Sequence, residues 1–421
     1  MKVSEELFIK NFYTIEEFEW KIKDFNILIG AMGSGKSICV KLLWFLEHIL
    51  HALIFYPSIN KNDLSNPDFF DRISGEFNEI FHTRDIDFNA TEIRYTYSCN
   101  GSAFDIKALW SDKKNCLVWS SKYLDEHLEQ WQNFFGSDET SLDIGIIASN
   151  QIYKSISEEF KNTFPVGGMF IPATRAIAAI TDNTDFMDPF IVRFIKTCKR
   201  LMRFEEELSD KEINEILHIK KIKYHLKKGL IITLPNDNTI SPQYLSSGQQ
   251  ELLYLLLYFN YMKQYPPYKY STRVSIFIEE PEAHLFPQGQ KNIIEYIVKT
   301  FRQFNDEERS YNGTRSTRFF ITTHSPYVLN VVSTIMNRGR LKMKLNELDK
   351  KPEDSAFSPY YFNKGEVSAY YIGEDKKVGL IVSEDEDYIF AEKINDISQD
   401  IFAEANIIEE QLAEIMVRNP K

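Results

Sequence analysis

The segment GAMGSGKS, Gly30 to Ser37, constrains this chain more than any other stretch, because it fits the pattern G-x-x-x-x-G-K-[ST]. In that pattern Gly30, Gly33 and Gly35 free the backbone so that successive N–H groups, with that of Ser34, wrap phosphate oxygens. Lys36 is spaced to reach the β/γ oxygens and Ser37 to ligate magnesium. The flanks agree with this reading. Asn26 to Ile29 reads as an apolar strand ending at Gly30, and from Ile38 to Leu53 the apolar residues recur at helical spacing. Upstream, Leu7 to Phe12 and Phe18 to Ile22 alternate apolar and polar, which predicts a short antiparallel sheet leading into the core strand.

Further along, IFIEEPEAH, Ile276 to His284, places two carboxylates at the end of an apolar strand, where open α/β sheets present their ligand crevice. A pair of glutamates there is often only a solvated strand end. Behind a phosphate loop, Glu279 is placed to hold magnesium and Glu280 to orient an attacking water as general base. ITTHSPYVL, Ile321 to Leu329, sets His324 at the end of a second apolar strand, where it would sense a γ-phosphate. YLSSGQQELL, from Tyr244, matches LSGGQ at Leu245, Ser246, Gly248 and Gln249, with Ser247 in place of the first glycine. Ser246 would cap a helix whose positive end points at an anion, again a γ-phosphate.

Weaker signals accompany these. FIPATR ends in Arg175, which either reaches toward a phosphate or a partner subunit, or pairs with surface acids. Phe12 and Tyr13 are candidates to line a base or ribose, although aromatics at such spacing are more often core. After Gln243 strands and helices alternate: helix from Ser246 to about Lys263, strand Val274 to Ile278, helix from about Pro287 to Phe304, strand Arg318 to Thr322, helix beyond Ser325. Such alternation implies a parallel sheet covered on both faces. A long amphipathic helix is expected over Asp188 to Leu208, ending in the acidic run Glu205 to Glu207, and a final acidic helix over Ile389 to Ile415.

At 421 residues the chain has room for an ATPase core plus a further module. The organisation expected is residues 1–56 and 165–335 as two parts of one head, 57–164 as an inserted α+β module and 336–421 as a C-terminal extension. The net charge of −12 argues against broad attraction to nucleic acid and leaves room only for a local basic groove. The longest apolar run, Leu252 to Phe259, falls far short of the roughly twenty residues that span a bilayer, so no membrane association is expected. The first residues carry Glu5 and Glu6 and no apolar signal core, which predicts a cytoplasmic protein. Cys39, Cys99, Cys116 and Cys198 are scattered, without metal-site spacing.

Together KNFYTIEEFEWKIKDFNILIGAMGSGKS, SSGQQE, EEPEAHLFPQ and ITTHSPYVLN resemble the stand-alone SMC/Rad50-like ABC ATPases of bacteria. These include the overcoming-lysogenization-defect family and the ATPases of the PARIS, Septu and retron-linked anti-phage systems. The resemblance covers about the first 55 residues and 165–335. It implies an α/β ABC-type ATPase head with a mixed, largely parallel sheet, helices on both faces and an N-terminal antiparallel sheet. It further implies ATP and Mg2+, hydrolysis by Glu280 with His324 as switch, and a homodimer at least, with growth to a higher oligomer open. A nuclease or toxin acting in trans and a phage-derived trigger are the partners it suggests, since no acidic Toprim-like cluster follows His324. The alternative is a RecF-like or SMC-like DNA-repair ATPase that clamps DNA. A transporter subunit fits EPEAHLFP poorly.

Overall fold

The computed structural model describes residues 3–55, 64, 66–82, 88–114, 116–135, 142–161, 163–179, 187–201, 208–225, 229–264, 273–305, 317–347, 360–373, 376–383 and 389. In chain order these form β1 (Val3–Phe12), β2 (Ile15–Lys21), β3 (Phe25–Gly30), α1 (Lys36–Phe55), α2 (Asn66–Phe81), β4 (Glu92–Cys99), β5 (Ser102–Ser111), β6 (Cys116–Ser120), α3 (Lys122–Gln132), α4 (Leu142–Glu159), β7 (Pro165–Ile171), α5 (Pro189–Leu201), α6 (Lys211–Leu217), β8 (Lys221–His225), β9 (Gly229–Thr233), β10 (Thr239–Ile240), α7 (Ser247–Gln264), β11 (Arg273–Glu279), α8 (Pro287–Asn305), β12 (Thr317–Thr323), α9 (Pro326–Glu347), β13 (Val367–Ile372) and β14 (Val378–Leu380).

The central sheet has the order β14-β13-β3-β12-β11-β7. Its neighbours run parallel except β14, which pairs antiparallel at the edge. Strands covered on both faces read as continuous apolar runs, and β3 (FNILIG) and β12 (TRFFITT) are buried at every position. Alternation then sorts their side chains. Leu28, Phe277 and Phe320 face one core, shared with α1, α2, α3, α4 and the antiparallel sheet. Ile27, Ile29, Ile276, Ile278, Phe319 and Ile321 face the other, shared with α6, α7, α8 and α9. The fold is thus the expected α/β architecture, a largely parallel sheet with helices on both faces.

The antiparallel sheet is larger than the first two strands predict. Its order is β2-β1-β4-β5-β6, with β1 pairing both β2 and β4 through registers such as Leu7 opposite Trp20 and Tyr95. A buried ionic group ties it to the central sheet. Arg318 on β12, fully buried, donates to Glu5 on β1, to Glu47 on α1 at 2.5 Å and to Ser275 on β11 at 2.7 Å. Tyr95 adds a bond to Glu5 at 2.7 Å. Buried charges persist only when paired in this way.

One expected helix is seen in part, and another lies almost wholly outside the described residues. The one expected over Asp188 to Leu208 is α5, Pro189–Leu201, with Leu208 outside any helix and the acidic run Glu205 to Glu207 outside the described residues. Of the expected acidic helix only Ile389 is described, bridged to Val382; the remainder lies outside the described residues. Cys39, Cys99 and Cys198 are buried, Cys116 is exposed, and all are free thiols. Among the described residues no helix is long and apolar enough to cross a membrane.

Candidate functional site

Parallel pairing brings the C-terminal ends of β3, β11, β12 and β7 to one edge of the sheet, the edge where ligands bind in open α/β folds. The loop after β3 turns tightly there. Gly33 and Gly35 adopt φ of +74° and +101°, and a Cβ on Gly35 would lie 2.6 Å from the Thr14 hydroxyl. Gly30 pairs with Ile372 of β13, whose carbonyl leaves no room for a Cβ at that position. The loop ends in α1, which begins at Lys36.

Lys36 is buried, and its ammonium donates to the carbonyls of Gly30 at 3.0 Å and Ala31 at 2.7 Å and to the Ser34 hydroxyl at 3.3 Å. Burial pulls its pKa down to about 8, against the opposing pull of Glu280, Glu282 and Glu279. The His324 Nδ1 lies 3.4 Å from the same ammonium. The other ring nitrogen, Nε2, lies 2.8 Å from Glu280 Oε1. One tautomer satisfies both contacts: Nδ1 accepts from Lys36, and Nε2–H donates to Glu280.

Glu280 follows β11 in a left-handed conformation, φ +43°. A non-glycine residue there is held by its surroundings. Its N–H donates to Thr322 at 2.9 Å, and its carbonyl accepts from Ala283 at 3.0 Å and from Arg175 at 3.0 Å. Glu279 points inward. Its Oε2 accepts from the Ala173 N–H at 3.1 Å, while Oε1 is buried without a hydrogen-bond partner among the described residues. Burial raises its pKa, opposed by Lys41 and by the Ser37 hydroxyl beside it. A buried, unsatisfied carboxylate oxygen next to a hydroxyl is a donor set that suits Mg2+, which takes one or two protein oxygens and completes its shell with water and phosphate.

The remaining segment stands apart from this group. Ser246 caps α7 in reciprocal fashion: the Gln249 N–H donates to Ser246 Oγ at 3.4 Å, and the Ser246 N–H to Gln249 Oε1 at 3.0 Å. Gln249 also donates to the Leu217 carbonyl at 2.7 Å. Gly248 packs so closely on the turn at His284 and Leu285 that a Cβ would meet them at 3.0 and 2.9 Å. Ser246 itself is exposed, so its side is open to a second molecule.

Two residues of the site escaped sequence reasoning or were misplaced by it. Glu282, buried, accepts from the Thr323 hydroxyl and from the His324 N–H at 3.2 Å, so it fixes the end of β12 from which His324 projects. A third carboxylate three residues after the end of β11 was the available signal. Arg175 neither reaches out to a phosphate nor pairs with surface acids. It is fully buried, because backbone carbonyls close around its guanidinium. Phe12, one of the candidates to line a base, is buried against Phe77, Phe81 and Phe88, and the Tyr13 hydroxyl donates to the Phe81 carbonyl.

The AAA ATPase domain family matches the chain over residues 1–329. Among solved structures it is similar to the SMC head domain from Thermotoga maritima, at 12% identity over 79% of this chain and 92% of that one, with a TM-score of 0.34. It is also similar to the Smc head domain with an extended coiled coil, bound to the C-terminal domain of ScpA, derived from Pyrococcus furiosus. There the identity is 12%, the coverage 95% of this chain and 100% of that one, and the TM-score 0.42. No curated protein matches it.

Proposed function

Because the chain belongs to the AAA ATPase domain family and is an ATPase, we propose that it closes two ATP sites between two copies of itself and uses that assembly to control a separate effector. Residues Gly30 to Ser37 hold the triphosphate, with the Lys36 ammonium against the β and γ phosphates. Ser37 and Glu279 hold Mg2+, which when bound neutralises charge that develops on the phosphates. Glu280 accepts the proton of the attacking water, and His324 keeps the Glu280 carboxylate in register with the γ-phosphate. Ser246, Gly248 and Gln249 of the second copy close over the nucleotide with the positive end of α7.

The observation that carries this reading is the position of His324 between Lys36 and Glu280, 3.4 Å from one and 2.8 Å from the other. That arrangement couples a phosphate-binding cation to a general base through one ring. The effector reading, a nuclease or toxin released in anti-phage defence, rests on the resemblance carried by EEPEAHLFPQ and ITTHSPYVLN. The net charge of −12 weighs against the DNA-clamping alternative.

Glu280→Gln tests the proposal, since it keeps size and hydrogen bonding while removing the carboxylate. Turnover should be lost, ATP binding retained, and a larger species should accumulate on sizing with ATP and magnesium. Normal turnover, or no ATP-dependent assembly, would overturn the composite site. Pull-down of the neighbouring gene's product from the ATP-locked form tests the effector. A submicromolar, salt-sensitive affinity for duplex DNA would favour clamping instead.

A further inference from the structure

Arg175 lies in the short turn Arg175–Ala179 that follows β7, and no part of its side chain reaches solvent. Its Nε donates to the Glu251 carbonyl at 2.8 Å and lies 3.4 Å from that residue's Oε2. Nη1 donates to the Pro172 carbonyl at 3.2 Å and the Glu279 carbonyl at 2.8 Å, and Nη2 donates to the Glu280 carbonyl at 3.0 Å. A planar fork with five donors can bridge such a set, and a lysine ammonium on a single stem cannot.

The carbonyls it gathers come from three places that the chemistry needs in register. Glu279 ends β11 and Glu280 follows it, Pro172 follows β7, and Glu251 lies in the second turn of α7, the helix that Ser246 caps. Glu280 has the left-handed φ of +43°, a conformation that persists only where neighbours over-determine it. Arg175 supplies one of its carbonyl's hydrogen bonds and also grips the peptide before it. The Glu251 carboxylate, itself buried, faces the guanidinium as its charge partner.

We infer that Arg175 is a positioning residue for hydrolysis: its guanidinium holds the turn that aims Glu280 at His324 and joins that turn to the start of α7, so that engagement of Ser246 is transmitted to the base. This rests on the reading of Glu280 as base and Ser246 as the contact to a second copy's nucleotide. Arg175 is fully buried with its donors spent on backbone carbonyls, so its loss should spare nucleotide binding and impair the chemical step.

The test compares Arg175→Lys, which keeps the charge beside Glu251 but not the fork, with Glu280→Gln and the unaltered chain. Expected is a fall in kcat on the order of a hundredfold, the cost of a misplacement near an ångström, with KM for ATP within about twofold. Like Glu280→Gln, Arg175→Lys should accumulate the ATP-closed assembly. A purely structural role would instead lower the folded fraction and leave kcat per bound ATP unchanged. That result, or a parallel loss of kcat and affinity, overturns the inference while a dead Glu280→Gln leaves the composite site standing. Normal turnover in Glu280→Gln overturns both. Should Arg175→Lys fail to fold by circular dichroism, Glu251→Gln takes its place: kcat several-fold down at unchanged KM supports the inference, and wild-type kcat overturns it.

Discussion

The Nε2 of His324 stands 2.8 Å from Glu280 Oε1, across the ends of two adjacent parallel strands. The strand pairing sets this contact: Glu279 lies opposite Thr322, so the residues just beyond each strand leave the sheet side by side. Glu282 then anchors the His324 backbone. The ring is held from both sides before any substrate arrives.

His324→Ala should therefore lower kcat by roughly a hundredfold, the usual cost of removing one preorganised donor, while ATP affinity changes little. Single-turnover hydrolysis measured beside equilibrium nucleotide binding separates the two quantities. An equal loss in both would mean that the ring serves binding rather than chemistry.

Burial holds the Lys36 ammonium at a pKa of about 8, and a bound triphosphate would raise it, since an opposite charge favours the protonated form. Nucleotide binding near pH 8 should then take up on the order of half a proton. The uptake should fade toward pH 6.5, where Lys36 is already charged. Calorimetry in buffers of different ionisation enthalpy measures it directly. Lys36→Arg should abolish it, and uptake that persists in that variant would place the proton elsewhere.

Ser246→Arg should block closure while leaving nucleotide binding to the single subunit intact, because Ser246 is exposed and its hydrogen bonds serve only the cap of α7. Loss of the cap costs about 1 kcal/mol, too little to unfold the head. Unchanged ATP-driven assembly on sizing would remove α7 from the interface.

Arg318→Met should destabilise the fold by about 3–5 kcal/mol, the cost of breaking a buried ion pair from one side. Glu5 and Glu47 would be left buried without their shared cation. Chemical denaturation gives the difference. A variant as stable as the parent would mean that the carboxylates protonate and pack without it.

What the residues alone determined is whatever depends on neighbours along the chain. The glycine spacing of Gly30 to Gly35 dictates the tight loop, apolar runs such as FNILIG dictate strands buried on both faces, and S-x-x-Q at Ser246 dictates the cap of α7. Those signals are local in origin, since each rests on backbone freedom, periodicity or a side chain returning to its own turn. The tertiary structure decided what depends on partners far apart in the chain. Arg175 looked like a surface cation because nothing near it in sequence shows that carbonyls from Glu251, Glu279 and Glu280 close around it. The pairing of β13 with β3, the continuation of β1 into β4, and the burial of Arg318 between Glu5 and Glu47 are of the same kind. Such choices follow from packing and from the need to satisfy buried charge, which no short stretch of sequence expresses.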